Sequence, residues 1–230
     1  MSRFLIEYAP KSINDVVLNN QTLLPMFQAV ANGTSTNNLM LYGPVGTGKT
    51  AIAKLVTELY YTNRGDDDLT MFVDLTQTTD FNVVRSAMSR NTIGFSNRWW
   101  FILDEGDKAP SGKSIQLLNE LHNMIGKYSY CSFIITTNSL GHMPAGIQSR
   151  CYPIKIEPPT PQQFLDRARQ IVAAEGKSAT DAEIIAWLSI GNNDIRHYLT
   201  GLEMNLASRP KTLPTQPPVA PAQQAAQSTP

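Results

Sequence analysis

The chain has 230 residues, 42% apolar and 17% charged, with 19 Lys plus Arg against 19 Asp plus Glu. That length holds one large domain, or a medium domain with a small one, in an ordinary globular composition. A formal charge of zero excludes a global electrostatic pull toward nucleic acid, and no run approaches the ~18 uncharged apolar residues that span a bilayer.

In chain order, Asn38-Leu39-Met40-Leu41-Tyr42 reads as a strand, leading through a glycine-rich loop into a helix over 50–61. A strand over 70–75 and a helix over 80–89 follow. Residues 99–103 are nearly all apolar, as in a strand covered on both faces. A helix over 114–128, a strand over 132–137 and a last strand over 152–156 complete the pattern. Strands alternating with helices predict an α/β domain with a central parallel sheet, here spanning 1–158. Thr160-Pro161-x-Gln163 then places a capping residue and a first-turn proline at the head of a helix. Helical patterns without a strand signal continue, predicting a small α-helical lid domain over 159–208. Residues 209–230 are rich in Pro, Ala and Gln, with Lys211 the only charge from Pro210 on, and are expected to be a disordered tail.

The conspicuous single residues carry plain readings. Cys131 and Cys151 fall at buried strand ends, and without a C-x-x-C pair they form neither a zinc module nor a disulfide framework. Trp99 and Trp100 suit core packing. His122, His142 and His197 lack metal-ligand spacing. Residues 1–10 have no apolar run of the secretory kind, so a cytoplasmic protein without a membrane partner is expected.

Gly43-Pro44-Val45-Gly46-Thr47-Gly48-Lys49-Thr50 fits G-x-x-x-x-G-K-[ST]. Glycines let such a loop turn its backbone N–H groups inward onto phosphate oxygens. Lys49 is expected to reach the β- and γ-phosphates of ATP, with the Thr50 hydroxyl on Mg²⁺. The following helix offers its positive N-terminal end to the same anion. Gly43, Pro44, Gly46, Thr47, Gly48, Lys49, Thr50 and Ala51 are therefore the expected nucleotide contacts. Phe101-Ile102-Leu103-Asp104-Glu105 is an apolar strand ending in two acids. There Asp104 is placed to hold Mg²⁺ with Thr50, and Glu105 to polarise the attacking water.

These motifs, followed by Gly106-Asp107, Thr136-Thr137-Asn138 and Ser149-Arg150-Cys151, stand in the order found in clamp-loader ATPase subunits. The chain resembles replication factor C small subunits and phage clamp-loader subunits of the AAA+ class over roughly residues 8–206. The resemblance implies that Asn138 is a sensor holding the lytic water or the γ-phosphate. It implies that Arg150 is an arginine finger reaching a neighbouring subunit's site, where guanidinium charge offsets that on the transferred phosphoryl. Arg196, in Gly191-Asn192-Asn193-Asp194-Ile195-Arg196, would be a second sensor contributed by the lid. Tyr8, Val16 and Val17 resemble the segment packing beside the adenine.

The sequence departs from the family's pattern in places. Ala9 replaces an arginine, Leu18-Asn19 replaces Gly-Gln, and Asn119 and Glu120 stand where basic residues are usual. Ser114 takes the place of a glutamine, and no helical collar sequence follows Leu206. Arg85, Arg90, Lys108 and Lys113 are candidates for a local basic face toward a phosphate backbone. The resemblance implies a homo- or hetero-oligomer of AAA+ subunits that uses ATP to load a sliding clamp onto primer–template DNA. Another AAA+ machine, such as a helicase loader or a protein remodeller, and a non-hydrolysing ATP-binding stator are the alternatives.

Overall fold

The structure is a computed structural model and describes residues 2–66, 69–77, 98–108, 123, 130–190 and 193–210. The helix expected over 80–89 lies outside the described residues, as does that over 114–128 except for Asn123, which is helical, and so do Arg85, Arg90, Lys113, Ser114, Asn119, Glu120, His122 and the tail from 211 on. Strands β1 (Leu39–Tyr42), β2 (Thr70–Asp74), β3 (Trp99–Asp104), β4 (Cys131–Thr137) and β5 (Tyr152–Lys155) form a parallel sheet in the order β2-β3-β4-β1-β5. The expected strands are all present, each within a residue or two of its expected ends.

Successive strand residues point to opposite faces, and the apolar runs split between two clusters accordingly. Leu39, Leu41, Trp100, Ile102, Ile134 and Ile154 meet Phe27 of helix α2 (Leu24–Ala31) and Ile52, Leu55 and Val56 of helix α3 (Lys49–Thr62). Met40, Phe101, Leu103, Phe133 and Ile135 face the other way, onto Met143 and onto Ile147 of the short helix α4 (Ala145–Gln148). Phe101 and Phe133, opposite each other in register, stack at 5.3 Å. Trp100 is fully buried, edge-on to Tyr60 at 5.6 Å. Cys131 opens β4 and Cys151 precedes β5; both are free, and burial pushes each thiol up to about 12.

Beyond β5 the chain turns helical, as α5 (Pro161–Ala174), α6 (Asp181–Ser189) and α7 (Ile195–Ala207). Thr160 and Thr180 each make a full capping box, with Gln163 and Glu183, satisfying otherwise orphaned first-turn N–H groups. Phe164, Ala168, Ile171 and Val172 fall on one face of α5 at helical spacing and pack on Ile184, Leu188, Tyr198, Leu199, Leu202 and Leu206. Phe4, in the N-terminal helix α1 (Phe4–Glu7), completes this cluster, although the sequence reading grouped it with the sheet. Ser2 donates to Glu203, and Arg3 bonds to Glu175 at 2.8 Å. By contrast Ile13, Val16 and Leu18 lie in the core beneath the sheet. The N-terminal segment thus straps the helical cluster to the sheet. No described helix is long and apolar enough to cross a membrane.

Candidate functional site

Parallel strands deliver their C-terminal ends to one edge, where ligands of open α/β sheets bind. Tyr42 sits opposite Thr137, and Leu103 opposite Ile135. The loop after β1, the acids closing β3 and Asn138 after β4 therefore emerge side by side.

Lys49, the first residue of α3, is buried. Its Nζ donates to the carbonyls of Gly43 at 2.8 Å and Pro44 at 2.7 Å, and to Asn138 Oδ1 at 3.2 Å. Burial holds its pKa below the usual lysine value, and Arg196 adds to this, while Asp107, Asp104 and Glu105 pull the other way. Within the loop, Thr47 Oγ1 donates to the Pro44 carbonyl at 3.1 Å.

Thr50 Oγ1 donates to Asp104 Oδ1 at 2.7 Å, and Thr136 Oγ1 donates to the same oxygen at 2.5 Å. A hydroxyl and a carboxylate brought together at a phosphate loop are hard oxygen donors. They fit Mg²⁺, which takes one or two protein ligands and completes its shell with water and phosphate oxygens. Glu105 adopts a φ of +57°, a left-handed conformation uncommon for a residue with a side chain. Its N–H is secured by Thr136 Oγ1 at 3.1 Å, and its carboxylate pairs with Lys108 at 2.8 Å. Glu105 also lines the cavity beside this loop.

Two loop glycines are sterically required. At Gly43, with φ +142°, a Cβ would stand 2.2 Å from the Ile156 carbonyl oxygen. At Gly46, with φ +78°, it would stand 2.0 Å from the Asp194 carboxylate. Asp194 caps α7 by accepting from Arg196 N at 2.7 Å, and Ile195 N donates to the Gly46 carbonyl at 3.0 Å. The loop after β1 and helix α7 are bonded directly.

Between them opens a cavity of about 690 Å³. Gly46, Thr47, Gly48, Lys49, Thr50 and Ala51 line one end, with Glu105, Asn138 and Arg196. Tyr8, Val16 and Val17 line the cavity as well. Gly43 and Pro44 contribute the carbonyls that hold Lys49, and Asp104 stands behind Thr50. Arg150 stands apart, exposed after α4, with Nη1 donating to the Gly146 carbonyl at 3.0 Å. It is not among the residues lining its own chain's cavity. Among the described residues no cluster of His, Cys, Asp and Glu forms a metal site of its own.

Several lining residues were missed in the sequence. Phe164 and Arg167 enter from α5, and Ile195 and Leu199 from α7. Arg167 donates to the Tyr8 carbonyl at 3.2 Å and approaches Asp15 Oδ1 at 3.4 Å, joining helix to strap. Its one signal was position, three residues after Phe164 beside the apolar stripe. Tyr8 donates its hydroxyl to Glu175 at 2.6 Å; burial first, and that carboxylate second, push the phenol up to about 12. Thr136 was legible as a polar residue closing an apolar strand, but its bond to Asp104 was not.

The chain is 25% identical over 202 residues to human replication factor C subunit 5, and 29% identical over 204 residues to Arabidopsis thaliana replication factor C subunit 2. It is 24% identical over 202 residues to the replication factor C small subunit of Haloarcula marismortui. Each match covers 86% of this chain and 58%, 59% and 60% of the respective relative, so the chain spans less than two thirds of their length. Its fold is similar to that of the Thermotoga maritima RuvB Holliday junction branch migration motor, with a TM-score of 0.66 at 12% identity, over 84% of this chain and 63% of that one. Residues 39–157, more than half of the chain, match one family along the stretch that runs from β1 through the loop, the β3 acids and Asn138 to β5. The chain belongs to the ATPase family associated with various cellular activities (AAA).

Proposed function

We propose that this chain binds ATP with Mg²⁺, hydrolyses it, and acts as a clamp-loader-like subunit that loads a sliding clamp onto primed DNA. The observation that carries the hydrolytic reading is the convergence of Lys49, Thr50, Asp104, Glu105 and Asn138 at one end of a cavity that Arg196 also lines. The loop amides and Lys49 bind the phosphates. Thr50 and Asp104 would hold Mg²⁺, which would supply positive charge against the phosphates. Glu105 accepts a proton from water as the general base. Arg196 brings positive charge from the helical side, so that nucleotide draws the helices and the loop together. Val16, Val17, Tyr8 and Phe164, which line the cavity, support a reading in which they would cover the flat base.

Arg150, exposed and outside its own cavity, suits action on a neighbouring subunit of a homo- or hetero-oligomer. The clamp-loading part of the reading rests on likeness to replication factor C subunits over 86% of the chain and on the motif order. Steady-state ATP hydrolysis, with and without primer–template DNA and the cognate clamp, tests both parts. Turnover strongly stimulated by clamp and DNA together supports the proposal. Turnover indifferent to both would replace clamp loading with another AAA+ activity, and its absence in every assembly would refute hydrolysis.

A further inference from the structure

Asp107 has no part in the motif chemistry above, yet it sits at the centre of the polar network. Its Oδ1 accepts from the Asn138 main-chain N–H at 2.9 Å and from Thr137 Oγ1 at 3.1 Å. Its Oδ2 accepts from Asn138 Nδ2 at 3.1 Å. Burial alone would raise its pKa, but the donations from Asn138 and Thr137 outweigh that and hold it below the usual carboxylate value. On its other side, Asn138 Oδ1 accepts from Lys49 Nζ. A side-chain amide has one accepting and one donating end. Rotating this one by half a turn would set its carbonyl oxygen against a carboxylate and its NH₂ group against an ammonium. The charges on either side therefore permit one orientation.

We infer that Asp107 is a positioning residue that fixes the Asn138 amide so that its carbonyl oxygen, and not its NH₂ group, faces the phosphate end of the cavity. This rests on the hydrolytic reading of the site and decides between the two roles open to Asn138. An accepting group cannot bind a phosphate oxygen, which also only accepts. It binds a hydrogen donor, either the Lys49 ammonium or a water. Once phosphates draw Lys49 away, Oδ1 is left for a water that gives its other hydrogen to Glu105, which lines the same cavity. Such a water keeps a lone pair for attack on phosphorus. Asn138 thus orients the nucleophile, and Asp107 orients Asn138.

The test compares wild type, Asp107→Asn and the exchange variant Asp107→Asn with Asn138→Asp, measuring affinity for a fluorescent ATP analogue alongside turnover. In Asp107→Asn, the new amide can donate to residue 138, which favours the flipped Asn138. Binding is expected to stay within about threefold while kcat falls on the order of 10- to 100-fold. The exchange restores an accepting oxygen toward the cavity with the same number of charges, and most of the lost kcat should return. Undiminished kcat in Asp107→Asn, affinity lost in parallel with kcat, or an exchange variant no better than the single one would overturn the inference. A readout in wild type does not depend on the variants folding. Without nucleotide, the Asn138 side-chain amide hydrogens should exchange with solvent more slowly than those of exposed Asn37, and equal rates would also overturn it. Wild type that hydrolyses no ATP would instead count against the proposed function, and the exchange measurement would then decide the orientation alone.

Discussion

The Gly46 carbonyl accepts a hydrogen bond from Ile195 N at 3.0 Å, while the Asp194 carboxylate rests where a Gly46 side chain would be. The loop that would cradle phosphate is therefore shaped on its outer side by the helical cluster. On the proposed function, nucleotide in the loop would be coupled to the position of α7. Replacing Gly46 with Ala adds left-handed strain of ~1–2 kcal/mol and forces Asp194 away. ATP affinity should fall by roughly tenfold or more, as calorimetric titration would show, with the sheet fold retained by circular dichroism.

The buried ammonium of Lys49 and the carboxylate of Glu105 should separate binding from chemistry. Lys49→Ala removes the charge that spans Gly43, Pro44 and Asn138, and turnover should be abolished. Glu105→Gln keeps shape and backbone but cannot accept a proton. It should retain ATP while hydrolysis falls by ~100-fold or more. Nucleotide filter binding beside phosphate release distinguishes the two, and loss of binding in Glu105→Gln would make Glu105 structural.

Arg150 offers a test of action between subunits. Arg150→Ala removes a bond to the Gly146 carbonyl and little else within its chain. The variant should bind ATP normally and show depressed turnover. Mixed with wild type at increasing fractions, it should lower activity more steeply than its share of the chains. Activity strictly proportional to wild-type content would rule out the role in trans.

At the far end of the helical cluster, Glu183 caps α6 and accepts from Arg209, which is the main reason its pKa is lowered to about 2; the Thr180 backbone bond adds to this. The folded value lies below the ordinary 4.5, so the stabilisation is complete above pH 4.5 and is lost as pH falls toward about 2. Glu183→Gln keeps a capping side chain but not the charge. Its melting temperature should lie modestly below wild type at pH 7, as expected for an exposed pair, and the two should converge near the acid end. A difference independent of pH would mean that packing, and not charge, is what the substitution disturbs.

Much of the sheet was legible because its signals are local. A run such as Trp99 to Leu103 reads as a strand covered on both faces, and burial of every residue from Trp100 to Leu103 agrees. The turn after β1 was equally legible as a loop leading into a helix, since glycines mark it and α3 begins at Lys49. The Thr160 cap and Pro161 likewise marked a helix start in a few residues. Asp107 and Arg167 carried no such mark. An aspartate in an acidic turn and an arginine on a helix are common, and their partners lie 31 and 159 residues away in sequence.

The amino-acid sequence by itself determined which segments become the five strands, where α3 and α5 begin and where the glycine-rich turn falls, because propensity, glycine conformation and apolar period act over a few residues; the short helices α1, α2 and α4 carried no such signal. Only the tertiary structure decided that residues 2–8 belong with helices α5 to α7, that Asp194 presses on Gly46, and that the Asn138 amide points one way. Those outcomes depend on charges and surfaces brought together from distant parts of the chain, and no local pattern encodes their distances.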